Sequence, residues 1–207
     1  VMAEAAAGSP VAQIVDRARK WKADLVSVGA VGQSMLGRIL MGSVTAQVAN
    51  EAPCSVRINR PRPTRRPGPL RIVVGYDGMP GADSAVRAVA ARSWPPGTEV
   101  KVITAVGFGF SDVSEMNLAE DYGRAREMQA APLATLREVG LDVLGMVVEA
   151  DPKLALVEHA HELDADAIFA GHNDHRLAYR LFLGTVTSAV AARAECSVEI
   201  VRARAAH

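Results

Sequence analysis

Residues 28–49, VGAVGQSMLGRILMGSVTAQVA, decide how this chain folds. An apolar run from Leu25 to Val28 leads into Gly29, Gly32 follows after two residues, and Gly42-Ser43 comes nine residues later. Val44, Val48 and Ala49 then recur at helical spacing. The glycines therefore sit where a buried strand ends and where the next helix begins. An open parallel α/β sheet leaves its binding crevice at such a place. Gly42-Ser43 at a helix start offers free backbone N–H groups and a hydroxyl to an anion. Gly29 and Gly32 let a ligand come close to the backbone. Each glycine pair alone reads equally well as a turn or a helix cap. The full spacing, G-x2-G-x9-G-S between a strand and a helix, carries more weight.

This stretch resembles the nucleotide-binding segment of the universal stress protein family. The resemblance rests on that spacing, on GSVT at Gly42 to Thr45, and on the APCSV that opens the next strand, Ala52 to Val56. It implies that Gly29, Gly32, Gly42, Ser43, Val44 and Thr45 wrap the ribose and phosphates of ATP or another adenine nucleotide, with Mg²⁺ present only alongside the nucleotide. The segment is not a P-loop, because no G-K-[ST] occurs in the chain.

Composition narrows the function classes. Of 207 residues, 49% are hydrophobic, enough to bury a sizeable core. The formal net charge is zero, so no global field favours nucleic acid or a membrane surface. No apolar run is long enough to span a bilayer, and Val1 to Ala7 lacks the basic start and apolar centre of a signal peptide. Two cysteines, Cys54 and Cys196, do not make a disulfide framework. These features predict a soluble, cytoplasmic chain.

An internal repeat organises the whole sequence. Residues 8–60 align with 150–202 at a constant offset of 142, without a gap, and 18 of the 53 positions are identical. The pairs include Pro10 and Pro152, Asp24 and Asp166, Gly29 and Gly171, Gly42 and Gly184, Cys54 and Cys196, Arg60 and Arg202. Each copy predicts a short strand (Val1 to Ala3; Val143 to Val148), a helix opening at the proline, and a buried strand (Leu25 to Val28; Ala167 to Ala170). The glycine loop, a second helix and a last strand (Ser55 to Ile58; Ser197 to Val201) follow. In the first helix, Val11, Ile14, Val15, Ala18 and Trp21 form the apolar stripe.

Arg60 to Leu70, RPRPTRRPGPL, separates the copies; its prolines exclude helix and central strand, so residues 61–69 read as an extended linker. Beyond it come a β-branched strand, Ile72 to Val74, a helix over Ala82 to Trp94, a strand over Val100 to Val106, and a helix over 114–139 that Pro132 should kink or restart. Strands alternating with helices predict an open parallel sheet with helices on both faces. The family resemblance implies five strands ordered 3-2-1-4-5 (Rossmann-like) over a complete domain, residues 70–207, preceded by a half-domain copy, residues 1–60. The first copy then lacks its first two strands and helices. The chain, which opens on Val1, reads as part of a tandem-domain protein whose first domain is truncated. The strand ending at Val28 is expected to leave an apolar edge open unless another chain covers it.

A whole family site needs the glycine loop and an aspartate after the first strand. In the second copy the resemblance assigns nucleotide contacts to Asp77, Gly171, Gly184, Thr185 and Thr187. Asp77 reads equally as a turn residue, since Asp77-Gly78 is a turn dipeptide. Asp174 replaces the second glycine, giving G-x2-D-x9-G-T. His172, Asp174 and His175 are metal-ligand types, but they crowd one loop with no fourth ligand, which favours a solvated loop and no metal. His159 and His161, two apart on a helix, face different ways. No nucleophile, triad or carboxylate pair is legible, so no catalytic residue is assigned. The expectation is a nucleotide-binding regulatory module that is not an enzyme. The rivals are an interaction module without nucleotide and an ATP hydrolase or adenylyl-transfer enzyme. The last strands resemble the edge through which family members pair, so self-association in a dimer-like arrangement, between domains or between chains, is expected through Val56, Ile58, Val198 and Ile200.

Overall fold

The structure, a computed structural model, describes residues 1–30, 41–61, 68–107, 118–173 and 184–203. Helix α1 (Pro10–Trp21) leads to β1 (Leu25–Gly29), α2 (Ser43–Glu51) and β2 (Ser55–Asn59). After the inter-copy segment come β3 (Arg71–Gly75), α3 (Pro80–Ala90), β4 (Glu99–Val106), α4 (Leu118–Glu138) and β5 (Asp142–Glu149). The chain closes with α5 (Pro152–Glu162), β6 (Ala167–His172), α6 (Thr185–Arg193) and β7 (Ser197–Arg202). The repeat is visible in the helix starts. Ser9 caps α1 through its hydroxyl, accepting from the Ala12 amide at 3.5 Å. The equivalent Asp151 caps α5, accepting from the Lys153 amide at 2.8 Å. Proline follows in both, its fixed φ suited to the first turn.

The seven strands among the described residues lie in one sheet, ordered β1-β2-β7-β6-β3-β4-β5. Within residues 70–202 the strands β5-β4-β3-β6-β7 are parallel throughout, and counted from β3 they stand in the order 3-2-1-4-5. The first copy adds β2 and β1, parallel to each other, on the β7 side. One core cluster fills the face under α1, α2, α5 and α6. It joins Val15, Val48 and Ile58 of the first copy to Ile168, Val190 and Ile200 of the second. The opposite face, under α3 and α4, is filled by Ile72, Val74, Val86, Val89, Leu136 and Phe169.

The two last strands pair with each other inside the chain. β2 and β7 run antiparallel, with Val56 opposite Ile200, Arg57 opposite Glu199 and Ile58 opposite Val198. The contacts around this seam are reciprocal. The Arg60 amide donates to Ser197 Oγ at 3.2 Å, and the equivalent Arg202 amide donates to Ser55 Oγ at 3.1 Å. The Arg60 guanidinium reaches the Ala191 carbonyl at 2.5 Å near the end of α6, and the Arg202 guanidinium reaches Ala49 at 2.9 Å near the end of α2. Cations there complement the carbonyl-rich helix ends. The copies are therefore related by a pseudo-two-fold axis through Arg57 and Glu199.

Several expectations need correction. Val1 to Ala3 form no strand. Their counterpart β5 is held by β4, and the described part of the first copy has no strand equivalent to β4, so nothing there supplies the ladder. Of the two outcomes expected at Pro132, a kink or a restart, the restart does not occur; α4 is continuous from Leu118 to Glu138 with Pro132 inside it. Packing of Gln129, Pro132 and Leu136 against the sheet outweighs the lost helix hydrogen bond. Helix α3 stops at Ala90, before Trp94. Trp21 is 60% exposed, with Arg17 over its ring at 5.3 Å. It lies at the margin of the sheet, where β1 is the terminal strand. There Leu25, Ser27 and Gly29 are exposed, whereas all of the equivalent β6 except Gly171 is buried beneath α3 and beside β3.

Candidate functional site

Strand direction places the crevice. β3 continues through α3 to β4 on one side, and β6 continues through α6 to β7 on the other, so the carboxyl ends of β3 and β6 diverge around a switch point. Asp77 lies just beyond β3, and Asn173 just beyond β6. Asp77 Oδ1 accepts from the Met79 amide at 3.0 Å, closing a turn in which Gly78 takes a φ of +75°. Asn173 spans the crevice. Its Nδ2 donates to Asp77 Oδ2 at 3.4 Å, and its Oδ1 accepts from the Gly81 amide at 2.7 Å, in the first turn of α3. The structure thus brings Asp77 to the end of the strand bearing Gly171. It also fills the space between them with an amide side chain that the sequence offered only as part of a histidine-rich loop.

Gly171 faces α3. A Cβ at this position would overlap the Gly81 carbonyl and the Ala82 amide nitrogen. Its lack of a side chain lets the start of α3 seat directly on β6. Behind the turn, the Tyr76 hydroxyl donates to Asp83 Oδ1 at 2.9 Å, and burial, with the Asp83 carboxylate adding, pushes its pKa up to about 12. Thr104 Oγ1 donates to the Tyr76 carbonyl at 2.8 Å and accepts from Gln129 Nε2 at 2.8 Å. This buried polar chain fixes the backbone that carries Asp77. Nothing in the spacing of Tyr76, Thr104 and Gln129 announced it, because the three residues come from separate elements.

In the first copy both ends of the glycine loop are tied together. The Gly42 amide donates to the Ala30 carbonyl at 2.8 Å, and the buried Thr45 hydroxyl donates to the Gly29 carbonyl at 2.7 Å. Helix α2 starts at Ser43 with no side-chain cap, and Ser43 and Val44 are exposed. The first N–H groups of a helix lack intrahelical partners, and the positive end of the helix dipole favours an anion there. In the second copy Gly184 and Thr185 are likewise exposed at an uncapped helix start, and the buried Thr187 hydroxyl turns back to the Gly184 carbonyl at 3.0 Å. Thr45 and Thr187 are therefore committed to carbonyls and position the loop ends. Gly32 and Asp174 lie outside the described residues. We expect Thr45→Val to cost about 0.5–1.5 kcal/mol, the net worth of one hydrogen bond. Thermal unfolding should show a drop of a few degrees, and an unchanged midpoint would contradict the positioning role.

Of the remaining candidates, His175 lies outside the described residues. His159 pairs with Glu162 at 2.9 Å and His161 with Glu195 at 3.0 Å, so the two imidazoles do face different neighbours. Cys54 and Cys196 are buried, and burial pushes the Cys54 thiol up. Among the described residues no group of three or more His, Cys, Asp or Glu side chains is placed to hold a metal ion, and no helix is long and apolar enough to cross a membrane.

A parallel α/β sheet in the order 3-2-1-4-5, with helices on both faces and a crevice at its switch point, defines a Rossmann-like protein. Within that class the chain belongs to the universal stress protein family, whose sequence pattern matches residues 1–60 and 70–202. A universal stress protein of Mycobacterium tuberculosis is 26% identical over 219 aligned residues, covering 98% of this chain and 69% of its own length. One from Methanocaldococcus jannaschii is 45% identical over 51 residues, covering 25% of this chain and 30% of its own. Among solved structures, a universal stress protein of Archaeoglobus fulgidus superposes with a TM-score of 0.67 at 22% identity, over 98% of this chain and 68% of that one. A second structure from the same organism gives 0.53 at 24% identity, over 64% of this chain and 98% of that one. These likenesses to solved structures establish the fold.

Proposed function

We propose that this universal stress protein is a regulatory module that binds ATP or another adenine nucleotide without turning it over. One observation carries the reading: α2 begins uncapped at Gly42-Ser43, with its loop ends clamped by the Gly42–Ala30 and Thr45–Gly29 bonds. Such a helix start presents fixed N–H donors to a phosphate group. Together with the G-x2-G-x9-G-S spacing it supports a reading in which Gly29, Gly32, Gly42, Ser43 and Val44 contact the ligand and Thr45 holds the loop. The second copy would contribute Asp77, Gly184 and Thr185, with Thr187 as the equivalent clamp. Mg²⁺ would enter only with the nucleotide.

The second copy is handicapped twice. Asn173 already occupies the Asp77 carboxylate and the Gly81 amide. Asp174 stands where the motif has a glycine. A carboxylate about 4 Å from a phosphate costs about 4 kcal/mol at an effective dielectric near 20. A helix start returns only about 0.3–2 kcal/mol. Repulsion wins unless Mg²⁺ bridges the two charges. We therefore expect Asp174→Gly to raise the ATP affinity of the second copy's site at least about tenfold, or about 1.4 kcal/mol. Gly42→Asp should lower the contribution of the first copy by a similar factor. Calorimetry with and without Mg²⁺ reads both changes, and extraction of the purified chain should release an adenine nucleotide. Absence of ATP binding by both the chain and Asp174→Gly would overturn the reading.

The Asn173 bridge favours a second reading, in which the 70–207 copy is an interaction module without nucleotide. Asn173→Ala separates the two readings, since freeing Asp77 should strengthen ATP binding only if that crevice takes nucleotide. An ATP hydrolase or adenylyl-transfer enzyme would need a general base or a metal beside the loop, and steady ATP turnover by the pure chain would favour it. The strands assigned to self-association, with Val56, Ile58, Val198 and Ile200, are engaged with each other in this chain. A second chain would have to displace that internal pair to use them.

A further inference from the structure

The seam between β2 and β7 is nearly self-complementary: its two strands differ at two positions, Asn59 against Val201 and, on the axis, Arg57 against Glu199, and only the second changes the charge. Residues 54–60 read CSVRINR and residues 196–202 read CSVEIVR. The cysteine, serine, valine, isoleucine and final arginine are the same in both. Every reciprocal contact they make would form equally well between two first copies, two second copies, or one of each. The Ser55 and Ser197 hydroxyls and the Arg60 and Arg202 guanidinium groups do not discriminate among these pairings. A two-fold interface places the residue on its axis opposite itself. Here the axial position holds Arg57 in one copy and Glu199 in the other, directly opposite in register, with Arg57 Nη1 3.8 Å from Glu199 Oε2. Glu199 is 1% exposed, so water cannot screen its charge.

We propose that Arg57 and Glu199 select the partner at this seam: they direct each copy to its unlike counterpart and reject a like copy from another chain. A pair of second copies would set Glu199 against Glu199 in a dry interface. A pair of first copies would set Arg57 against Arg57 with no carboxylate between them. Arg92 binds Glu199 at 2.7 and 2.5 Å, but it belongs to the same copy as Glu199 and would accompany it into either pairing. The discriminating cation is Arg57. An attractive contact in the right pair and a repulsive one in the wrong pair together make specificity. The partner this surface fits is a universal-stress-type last strand carrying the opposite charge at its central position, and the chain supplies that strand itself.

The test starts from the folded full chain. A protease site placed within residues 62–67 allows the linker to be cut after folding, and native mass spectrometry then reads which fragments remain together. The cut wild-type chain should give only a one-to-one complex of unlike fragments. Arg57→Gln and Arg57→Glu should weaken that complex about tenfold or more, the glutamate variant more severely. Arg57 is half-exposed, so the folding of each copy should tolerate both changes. The full inversion, Arg57→Glu with Glu199→Arg and Arg92→Glu, should restore the one-to-one complex. Like pairs of the 70–207 fragment from the wild-type chain would overturn the proposal. So would an Arg57→Glu complex within twofold of wild type, or a loss that the inversion fails to recover.

Discussion

Arg92→Met is expected to destabilise the protein by about 3–5 kcal/mol, the usual cost of stranding one member of a buried ion pair. For a chain of this size that is a fall of about 6–20 °C in Tm. Glu199 is among the most deeply buried side chains in the core. Arg92 grips it with two hydrogen bonds while stacking over Phe169 at 5.2 Å. Trp94 meets the same ring edge-on at 6.1 Å. Removing the guanidinium leaves the carboxylate with Arg57 alone, at 3.8 Å. Methionine keeps much of the volume over Phe169, so the loss is electrostatic. The double change Arg92→Met with Glu199→Met should therefore cost less than half of the single one, because replacing a buried pair by apolar groups is often close to neutral. Chemical denaturation of both variants measures this. A double variant as unstable as Arg92→Met would show that packing, and not the stranded charge, is responsible.

Gly171→Ala is expected to cost about 3 kcal/mol or more, at or beyond the upper end of the usual overpacking range. The atoms a Cβ would overlap are backbone atoms of Gly81 and Ala82, which cannot rotate away as a side chain can. Helix α3 would have to lift off β6, taking with it the Gly81 amide that Asn173 holds and disturbing the Asp77 turn. The repeat supplies the control. Gly29 is the equivalent residue, but no helix equivalent to α3 lies over β1 among the described residues, and Gly29 is exposed. Gly29→Ala should therefore cost about 0.5 kcal/mol or less, within the range of ordinary surface changes. Equal losses at the two positions in urea unfolding would refute this division of roles.

Much of the fold was legible because it is written in local patterns. The strands and helices of both copies follow from apolar periodicity and from prolines at helix starts. Thr45 could be placed at the loop because it falls within the same short motif as Gly42. Asn173 was hidden, since its two partners, Asp77 and Gly81, are 96 and 92 residues away in sequence. The Arg92–Glu199 clamp was hidden for the same reason, with 107 residues between its members. Glu199 in particular breaks the pattern of a buried strand, and no neighbour in sequence explains it. Val1 to Ala3 misled in the opposite direction, because a strand-like sequence makes a strand only beside a partner with free N–H and C=O groups.

By itself the sequence determined the duplicated α/β plan and the place of the glycine motif between a strand and a helix, because each depends on residues within one or two adjacent elements; the strand order of the complete copy was implied by the family resemblance, since it depends on the distant pairing of β3 with β6. Tertiary structure alone decided what the duplicated residues do. Gly29 and Gly171 occupy the same place in the motif, yet one is exposed beside the sheet margin and the other makes room for α3. Arg57 and Glu199 are equivalent by alignment, yet they meet as opposite charges across the seam. A residue's role in such a repeat depends on which face is covered and which strand lies opposite. Both are properties of the assembled sheet, set by contacts between segments that the linear sequence keeps far apart.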